Sequence, residues 1–160
     1  MNQNKYKDWL DFLRHGIYSE DTPFLKFAIL WLSFNAYLNE RNSGIERDFD
    51  KVENFSNGTS AIIQFEETFD IKKLINEFKA TRSDGREFVE NVRTKKTAYR
   101  KYFNSENNTF LDYMKVIYQI RCNFFHGDKI PLDNDDKKLV QWAYSSFFEY
   151  WSKYIENKKN

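Results

Sequence analysis

The sequence predicts an all-α fold, a bundle of four to five longer helices with short extra helices, in one domain over residues 1–160. Apolar residues recur at intervals of three and four along most of the chain, a spacing typical of helices with one buried face. Only two prolines and five glycines occur, and both residue types interrupt helices. Aromatic residues make up 19% of the chain, so a moderate apolar fraction is enough to build a core. No repeat or linker indicates a second domain.

The first half of the chain predicts one long helix and several short ones. A short helix is predicted over residues 6–13. Capping oxygens in residues 19–22 precede Pro23, a favourable first helical residue, and the apolar stripe that follows predicts a helix over residues 23–40. Further helices are predicted over 45–70, as one or two short helices broken near 56–58, and over 70–78.

The second half predicts two more long helices. Residues 83–85 form a predicted turn, and part of residues 86–103 is predicted as helix. Thr109 can cap a helix that carries apolar residues to Phe125, and Gly127 is a natural stop after it. The last helix is predicted to begin after Pro131, at the acidic run 133–136.

Composition excludes several classes of protein. The net charge of +1 predicts no polyanion partner from bulk charge alone. The single cysteine, Cys122, rules out an intramolecular disulfide, and one Cys with two His makes a zinc site difficult. The N-terminus lacks the layout of a signal peptide, and the longest apolar stretch, residues 24–38, is short and interrupted by polar residues. We therefore expect a cytoplasmic protein with no metal, no cofactor and no membrane partner.

The segment 118–127, YQIRCNFFHG, carries the residues that are candidates for catalysis or ligand binding. Arg121 falls on the apolar face of its helix, and because a guanidinium stays charged it needs a carboxylate, carbonyl groups or an anionic ligand. His126 stands at the predicted helix end, beside Gly127. Five residues place the two side chains about 140° apart on a regular helix. They can share a site only if the helix breaks or a second chain contributes, which favours a groove or a dimer seam.

This segment resembles the signature of the HEPN family (higher eukaryotes and prokaryotes nucleotide-binding), in which R-x4-H lies near a helix end. The segment 31–37, WLSFNAY, is similar to an early helix of that family. The resemblance implies an HEPN-like helical bundle and a homodimer whose paired Arg and His residues, here Arg121 and His126, cleave RNA without metal. Many members carry a polar residue directly after the arginine. This chain has Cys122 there and Asn123 one position later, so Asn123 is the candidate for an assisting role.

The expected chemistry is that of a metal-independent endoribonuclease. RNA supplies its own nucleophile, the 2′-hydroxyl, while a histidine can act as general acid or base near neutral pH. An arginine can stabilise charge on the phosphoryl oxygens. The products would carry 2′,3′-cyclic phosphate and 5′-hydroxyl ends, and DNA would survive. By family analogy alone, a toxin or phage-defence role and an antitoxin or regulatory partner are expected.

Two other functions remain open. The chain could be a non-catalytic helical module that binds a nucleotide, RNA or a protein partner, with Arg121 gripping an anion and His126 structural. It could also be an interaction subunit in which Arg121 pairs with an acidic residue of its own bundle.

A basic stretch, residues 93–101, carries five positive charges and no acid, with Tyr99, Tyr102 and Phe103 interleaved or adjacent. It could follow an RNA backbone while an aromatic ring stacks on a base, or it could be a solvated face that balances the acidic residues 45–70. The candidate RNA-binding residues are Lys95, Lys96, Arg100 and Lys129.

Three further polar residues have more than one interpretation. Asn35 lies on an apolar helix stripe, where it either holds Arg121 or a backbone carbonyl in place or is a buried amide satisfied within the bundle. We interpret His15 as a helix-end histidine and Cys122 as a packing residue.

Overall fold

Six α-helices and a small antiparallel sheet make up the described part of the computed structural model, which covers residues 6, 7, 10, 14, 23–125 and 133–158. The helices are α1 (Pro23–Arg41), α2 (Asp48–Ser56), α3 (Thr59–Thr68), α4 (Ile71–Lys79), α5 (Phe110–Phe125) and α6 (Asn134–Asn157). Strand β1 (Phe88–Val89) pairs with β2 (Lys101–Tyr102), with Phe88 opposite Tyr102. The predicted all-α bundle is confirmed, with α1, α5 and α6 as its long helices.

Side-chain caps fix where several of these helices begin. Asp70 accepts hydrogen bonds from the backbone N–H groups of Lys72 and Lys73 at the start of α4. Asp133 accepts from the N–H of Asp136 at the start of α6. At α5, Thr109 Oγ1 accepts from the N–H of Asp112, whose carboxylate accepts from the N–H of Thr109 in return. The predicted starts of α4, α5 and α6 are confirmed because the signals that set them are local.

Aromatic side chains fill the space between α1 and α6. The ring of Phe34 on α1 is fully buried and lies 5.2 Å from that of Trp151 and 5.1 Å from that of Phe147, both edge to face. The stripe that predicted the first long helix therefore faces the core.

The predicted break between the two short acidic helices is also confirmed, since α2 ends at Ser56 and α3 begins at Thr59.

The segment 86–103 differs from its prediction. Only residues Thr97–Tyr99 are helical, as a short 3₁₀ turn, and the rest is the β1–β2 hairpin and its loop. The Asn91 side chain accepts hydrogen bonds from the N–H groups of Arg93 and Thr94, and Lys95 has a left-handed φ of 52°. These local bonds give the backbone an alternative to the helix. Helix was predicted for part of this segment, and the helical part is this single 3₁₀ turn.

Several predictions lie outside the described residues. They concern most of the helix over residues 6–13, the capping residues 19–22, and His15, Gly127 and Pro131. Of the first helix, Tyr6, Lys7 and Leu10 are described and are helical. Within the described ranges, no helix combines the length and the apolar character needed to cross a bilayer.

A buried hydroxyl links the amino-terminal residues to the core, and its removal tests the packing. Ser33 Oγ donates to the backbone carbonyl of Tyr6 and accepts from Trp151 Nε1 at 2.9 Å. We expect Ser33→Ala to lower the free energy of unfolding by about 2 kcal/mol, because both partners are left unpaired. Urea denaturation would measure the loss. The exposed control Ser145→Ala should cost less than about 0.5 kcal/mol, and equal losses in the two variants would contradict this packing.

Candidate functional site

Helix α5 passes from the core to the surface within its last two turns. Tyr113, Met114 and Ile117 are fully buried, and Ile120 is 1% exposed. Five residues follow Ile120 in the helix. Asn123 is buried, Arg121, Cys122 and Phe124 are half-buried, and the last residue, Phe125, is 48% exposed. The polar residues of this end are therefore placed where the helix leaves the core.

Arg121 is held among aromatic rings. Its guanidinium carbon lies 5.6 Å from the ring centroid of Trp31 on α1, 5.8 Å from that of Tyr118 and 5.1 Å from that of Phe125. Ring faces attract a cation, and more strongly as water is excluded. The side chain nevertheless stays 23% exposed, so a ligand can reach part of the guanidinium.

The polar contacts of Arg121 are loose. Its Nη2 atom lies 3.8 Å from Asp48 Oδ2, and Nη1 lies 3.9 Å from Cys122 Sγ. A paired guanidinium and carboxylate usually meet through two bonds of about 2.8 Å. Asp48, itself 42% exposed, is therefore a distant counter-ion that leaves donors of Arg121 unused. The Nε atom is buried and has no hydrogen-bond partner.

Arg121 and the contacting Trp31 each have a buried polar atom without a partner among the described residues. Five buried side-chain polar atoms in the described residues lack a partner, and three of them are Trp31 Nε1, Asn35 Oδ1 and Arg121 Nε. Buried polar groups are otherwise nearly always hydrogen-bonded, so each exception calls for an explanation. Two of these three are N–H donors, on Trp31 and Arg121, whose ring and guanidinium lie 5.6 Å apart.

Asn35 does not hold Arg121 among the described residues. It lies on α1 one turn beyond Trp31, and its Oδ1 accepts no hydrogen bond from the guanidinium or from any other group. This oxygen therefore shows neither a bond to Arg121 nor the partner of a satisfied buried amide, and the interpretation in which Asn35 holds a backbone carbonyl stays a prediction.

Asn123 lies on the other side of the same helix end, about 160° around the axis from Arg121. It is 2% exposed, and its Nδ2 donates to the carbonyl of Glu90 at 2.7 Å. Its Oδ1 accepts from Gln119 Nε2 at 2.8 Å and from the backbone N–H of Val92 at 3.4 Å. The amide thus fastens the base of the β1–β2 loop to α5 and makes no contact with Arg121.

The other candidates fall into two groups. Lys95 and Lys96 are exposed, whereas Arg100 donates to Glu90 Oε1 at 2.9 Å and covers the ring of Phe88 at 4.2 Å. His126 and Lys129 lie outside the described residues, so the Arg121–His126 arrangement stays a prediction. Within those same residues, no three His, Cys, Asp or Glu side chains converge to hold a metal ion.

Three residues around Arg121 were not predicted from the sequence as part of the site. Phe125 follows Arg121 by four positions, a spacing that could have identified it. Burial, together with the neighbouring Cys122 thiol, raises the pKa of Tyr118 to about 12, so its phenol stays protonated at neutral pH. Asp48 comes from another helix, and no local pattern pointed to it.

Comparison of the chain with models of protein families, with curated proteins and with solved structures gives no match. The candidate site is therefore argued from its own geometry.

The bonds of Asn123 predict that this residue supports stability. We expect Asn123→Ala to lower the free energy of unfolding by about 3 kcal/mol, because it leaves three buried or half-buried partners unpaired. Urea denaturation would measure this loss, with the exposed Asn39→Ala as the matched control, expected to change stability by less than about 0.5 kcal/mol. A fully stable Asn123→Ala protein would show that the amide has another role.

Proposed function

We propose that the protein is a homodimeric, metal-independent endoribonuclease in which Arg121 binds the scissile phosphate and His126 transfers a proton. The observation that supports this most is the state of Arg121: a half-buried guanidinium, held by three rings, with the nearest carboxylate of the described residues 3.8 Å away and its Nε unpaired. A permanent cation in that state is suited to an anionic ligand. His126 follows one residue after α5 ends.

The proposed reaction needs no nucleophile from the protein. The 2′-oxygen of the ribose bonds to phosphorus and loses its proton to a general base, while the bond from phosphorus to the 5′-oxygen breaks. A general acid returns a proton to that leaving oxygen. The products are a 2′,3′-cyclic phosphate and a 5′-hydroxyl, so the overall step is balanced without an external reactant.

The surroundings of Arg121 suit stabilisation of the transition state. Negative charge builds up on the phosphoryl oxygens as the 2′-oxygen attacks, and fixed donors in a partly dry site stabilise it more than water does. The rings of Trp31, Tyr118 and Phe125 limit the positions that the guanidinium can adopt. Asp48, at 3.8 Å, offsets the charge without using the short hydrogen-bonding geometry that a phosphate would take.

Two protomers explain how one Arg and one His could serve a single phosphate. On a regular helix the two side chains would diverge by about 140°, so the histidine that completes the site of one protomer can come from its partner. A role as a toxin or phage-defence effector in the cytoplasm, controlled by an antitoxin or another regulatory protein, is proposed by family analogy alone.

Cleavage assays with matched arginine variants test this proposal. We expect the purified protein to cut single-stranded RNA in excess EDTA and to leave DNA intact. Arg121→Ala and His126→Ala should each lower the rate by at least about 100-fold, because each removes a group that acts on the reacting phosphate. The control Arg47→Ala removes an arginine that is 79% exposed and paired with Asp50, and it should keep full activity.

Mass spectrometry of the products would identify the ends. Cyclic phosphates at the 3′-ends and hydroxyls at the 5′-ends are expected. Cleavage that survives both Arg121→Ala and His126→Ala, or that stops when EDTA is added, would contradict the proposal.

A second function, a non-catalytic module that binds a nucleotide, RNA or a protein partner, is favoured by one observation. Phe125 is 48% exposed and lies 5.1 Å from the Arg121 guanidinium, so one exposed ring and one cation stand side by side. A base could stack on the ring while a phosphate meets the cation.

The Asp48→Asn variant distinguishes these two functions from a purely structural role of Arg121. Because the contact is 3.8 Å long and partly exposed, we expect Asp48→Asn to change the free energy of unfolding by less than about 1 kcal/mol. It should also tighten the binding of adenosine monophosphate, measured by calorimetry, and Arg121→Ala should abolish that binding. A large loss of stability in Asp48→Asn, with no nucleotide binding by the unmodified protein, would assign Arg121 to an internal ion pair.

A further inference from the structure

The loop that joins β1 to β2 concentrates the positive charge of the protein. Residues 91–102, here called the basic hairpin, contain five Lys and Arg side chains and no Asp or Glu. The whole chain has a net charge of +1, so the remaining residues together carry −4. The near-neutral total thus conceals a local cationic surface, and such a surface can attract a polyanion.

The cations of the basic hairpin are presented to solvent. Every residue from Arg93 to Tyr99 is exposed. Lys95 and Lys96 form no ion pair with a carboxylate of the described residues. The left-handed backbone of Lys95 changes the direction of the loop between Arg93 and Lys96. Arg100 is neutralised by Glu90 at 2.9 Å.

The basic hairpin also exposes two aromatic rings. Tyr99 is 48% exposed and Tyr102 is 43% exposed, two of six large exposed apolar side chains in the described residues. The ring of Tyr102 packs 5.3 Å from that of Phe88, which is covered in turn by the Arg100 guanidinium at 4.2 Å. Tyr102 is therefore held in place while one part of it stays open, which lowers the entropy lost when a ligand stacks on it.

The base of the hairpin is fixed to the helix that carries Arg121. Asn123 on α5 donates to the carbonyl of Glu90 and accepts from the N–H of Val92. The exposed cations and rings thus lie on a loop whose base is hydrogen-bonded to a buried residue of α5.

From these observations we propose that the basic hairpin is a binding surface for single-stranded RNA. Bases stack on Tyr99 and Tyr102, and the backbone phosphates contact Lys95 and Lys96. Charge alone would suit any polyanion, but exposed rings next to cations match single strands, because a duplex hides the faces of its bases. The choice of RNA over single-stranded DNA rests on the proposed function, since stacking does not distinguish them.

Fluorescence anisotropy with an uncleavable ligand tests this surface. The probe is a fluorescein-labelled 20-nucleotide oligouridine with 2′-O-methyl riboses, whose 2′-oxygens cannot attack phosphorus. We expect Tyr99→Ala/Tyr102→Ala to weaken binding at least about tenfold. Tyr99→Phe/Tyr102→Phe should stay within about twofold of the unmodified protein, because it keeps the stacking faces. A blunt-ended RNA duplex of the same length should bind more weakly than the single strand.

The lysines are tested by the salt dependence of the same measurement. Lys95→Ala/Lys96→Ala should reduce the slope of log affinity against log salt by about 1.4, since each phosphate contact of a single strand contributes about 0.7. The control Lys72→Ala/Lys73→Ala removes two exposed lysines of α4 and the same charge. It should leave the slope unchanged.

The outcomes separate this inference from the proposed function. Tyrosine-dependent binding without any cleavage of ordinary RNA would support the hairpin surface and end the nuclease proposal. Equal affinity in Tyr99→Ala/Tyr102→Ala would overturn the hairpin surface, whatever the cleavage assays show. So would binding of a polyglutamate peptide or of the duplex as tightly as the single strand, because charge alone would then account for it.

Discussion

The permanent charge of Arg121, at the end of a helix that begins in the core, is the constraint from which the site follows. A guanidinium cannot enter a core by losing its proton, so it must be paired, covered or left open to solvent. Here the rings of Trp31, Tyr118 and Phe125 cover it, and the carboxylate of Asp48 stays at 3.8 Å. The helix end is thus built around a cation whose hydrogen-bonding capacity is not used up by the described residues.

The two sides of this helix end differ in how completely their polar side chains are hydrogen-bonded. Asn123 faces the β1–β2 loop, and its amide oxygen and nitrogen both take part in short or moderate hydrogen bonds. Arg121, two residues earlier, has one buried N–H without any partner. A side chain whose donors and acceptors are all hydrogen-bonded has little capacity to bind a substrate. A side chain with an unpaired buried N–H destabilises the fold unless a ligand forms the missing hydrogen bond. The geometry therefore favours Arg121, and not Asn123, as the residue that meets a ligand.

The helices could be predicted from the sequence because their signals are local. Asp70, Thr109 and Asp133 each cap the helix that follows within three residues. The β1–β2 loop could not be predicted, because its form depends on Asn91 turning back on its own backbone and on Asn123, more than thirty positions later. The buried face of Arg121 was likewise visible in the three-four spacing. Its counter-ion was not, since Asp48 reaches it only through the packing of α2 against α5.

The proposed roles of the two cationic regions differ in their physical basis. Lys95 and Lys96 are exposed, so any attraction that they exert on phosphates is screened by salt and acts on a whole strand. Arg121 is half-buried among rings, where screening is weaker, and in the proposed mechanism it contacts a single phosphate. Binding energy gained on a remote surface can hold a flexible strand so that one phosphodiester enters the second site in a fixed orientation. Under these proposals, the exposed lysines alone would bind RNA without cleaving it, and Arg121 alone would bind the strand weakly.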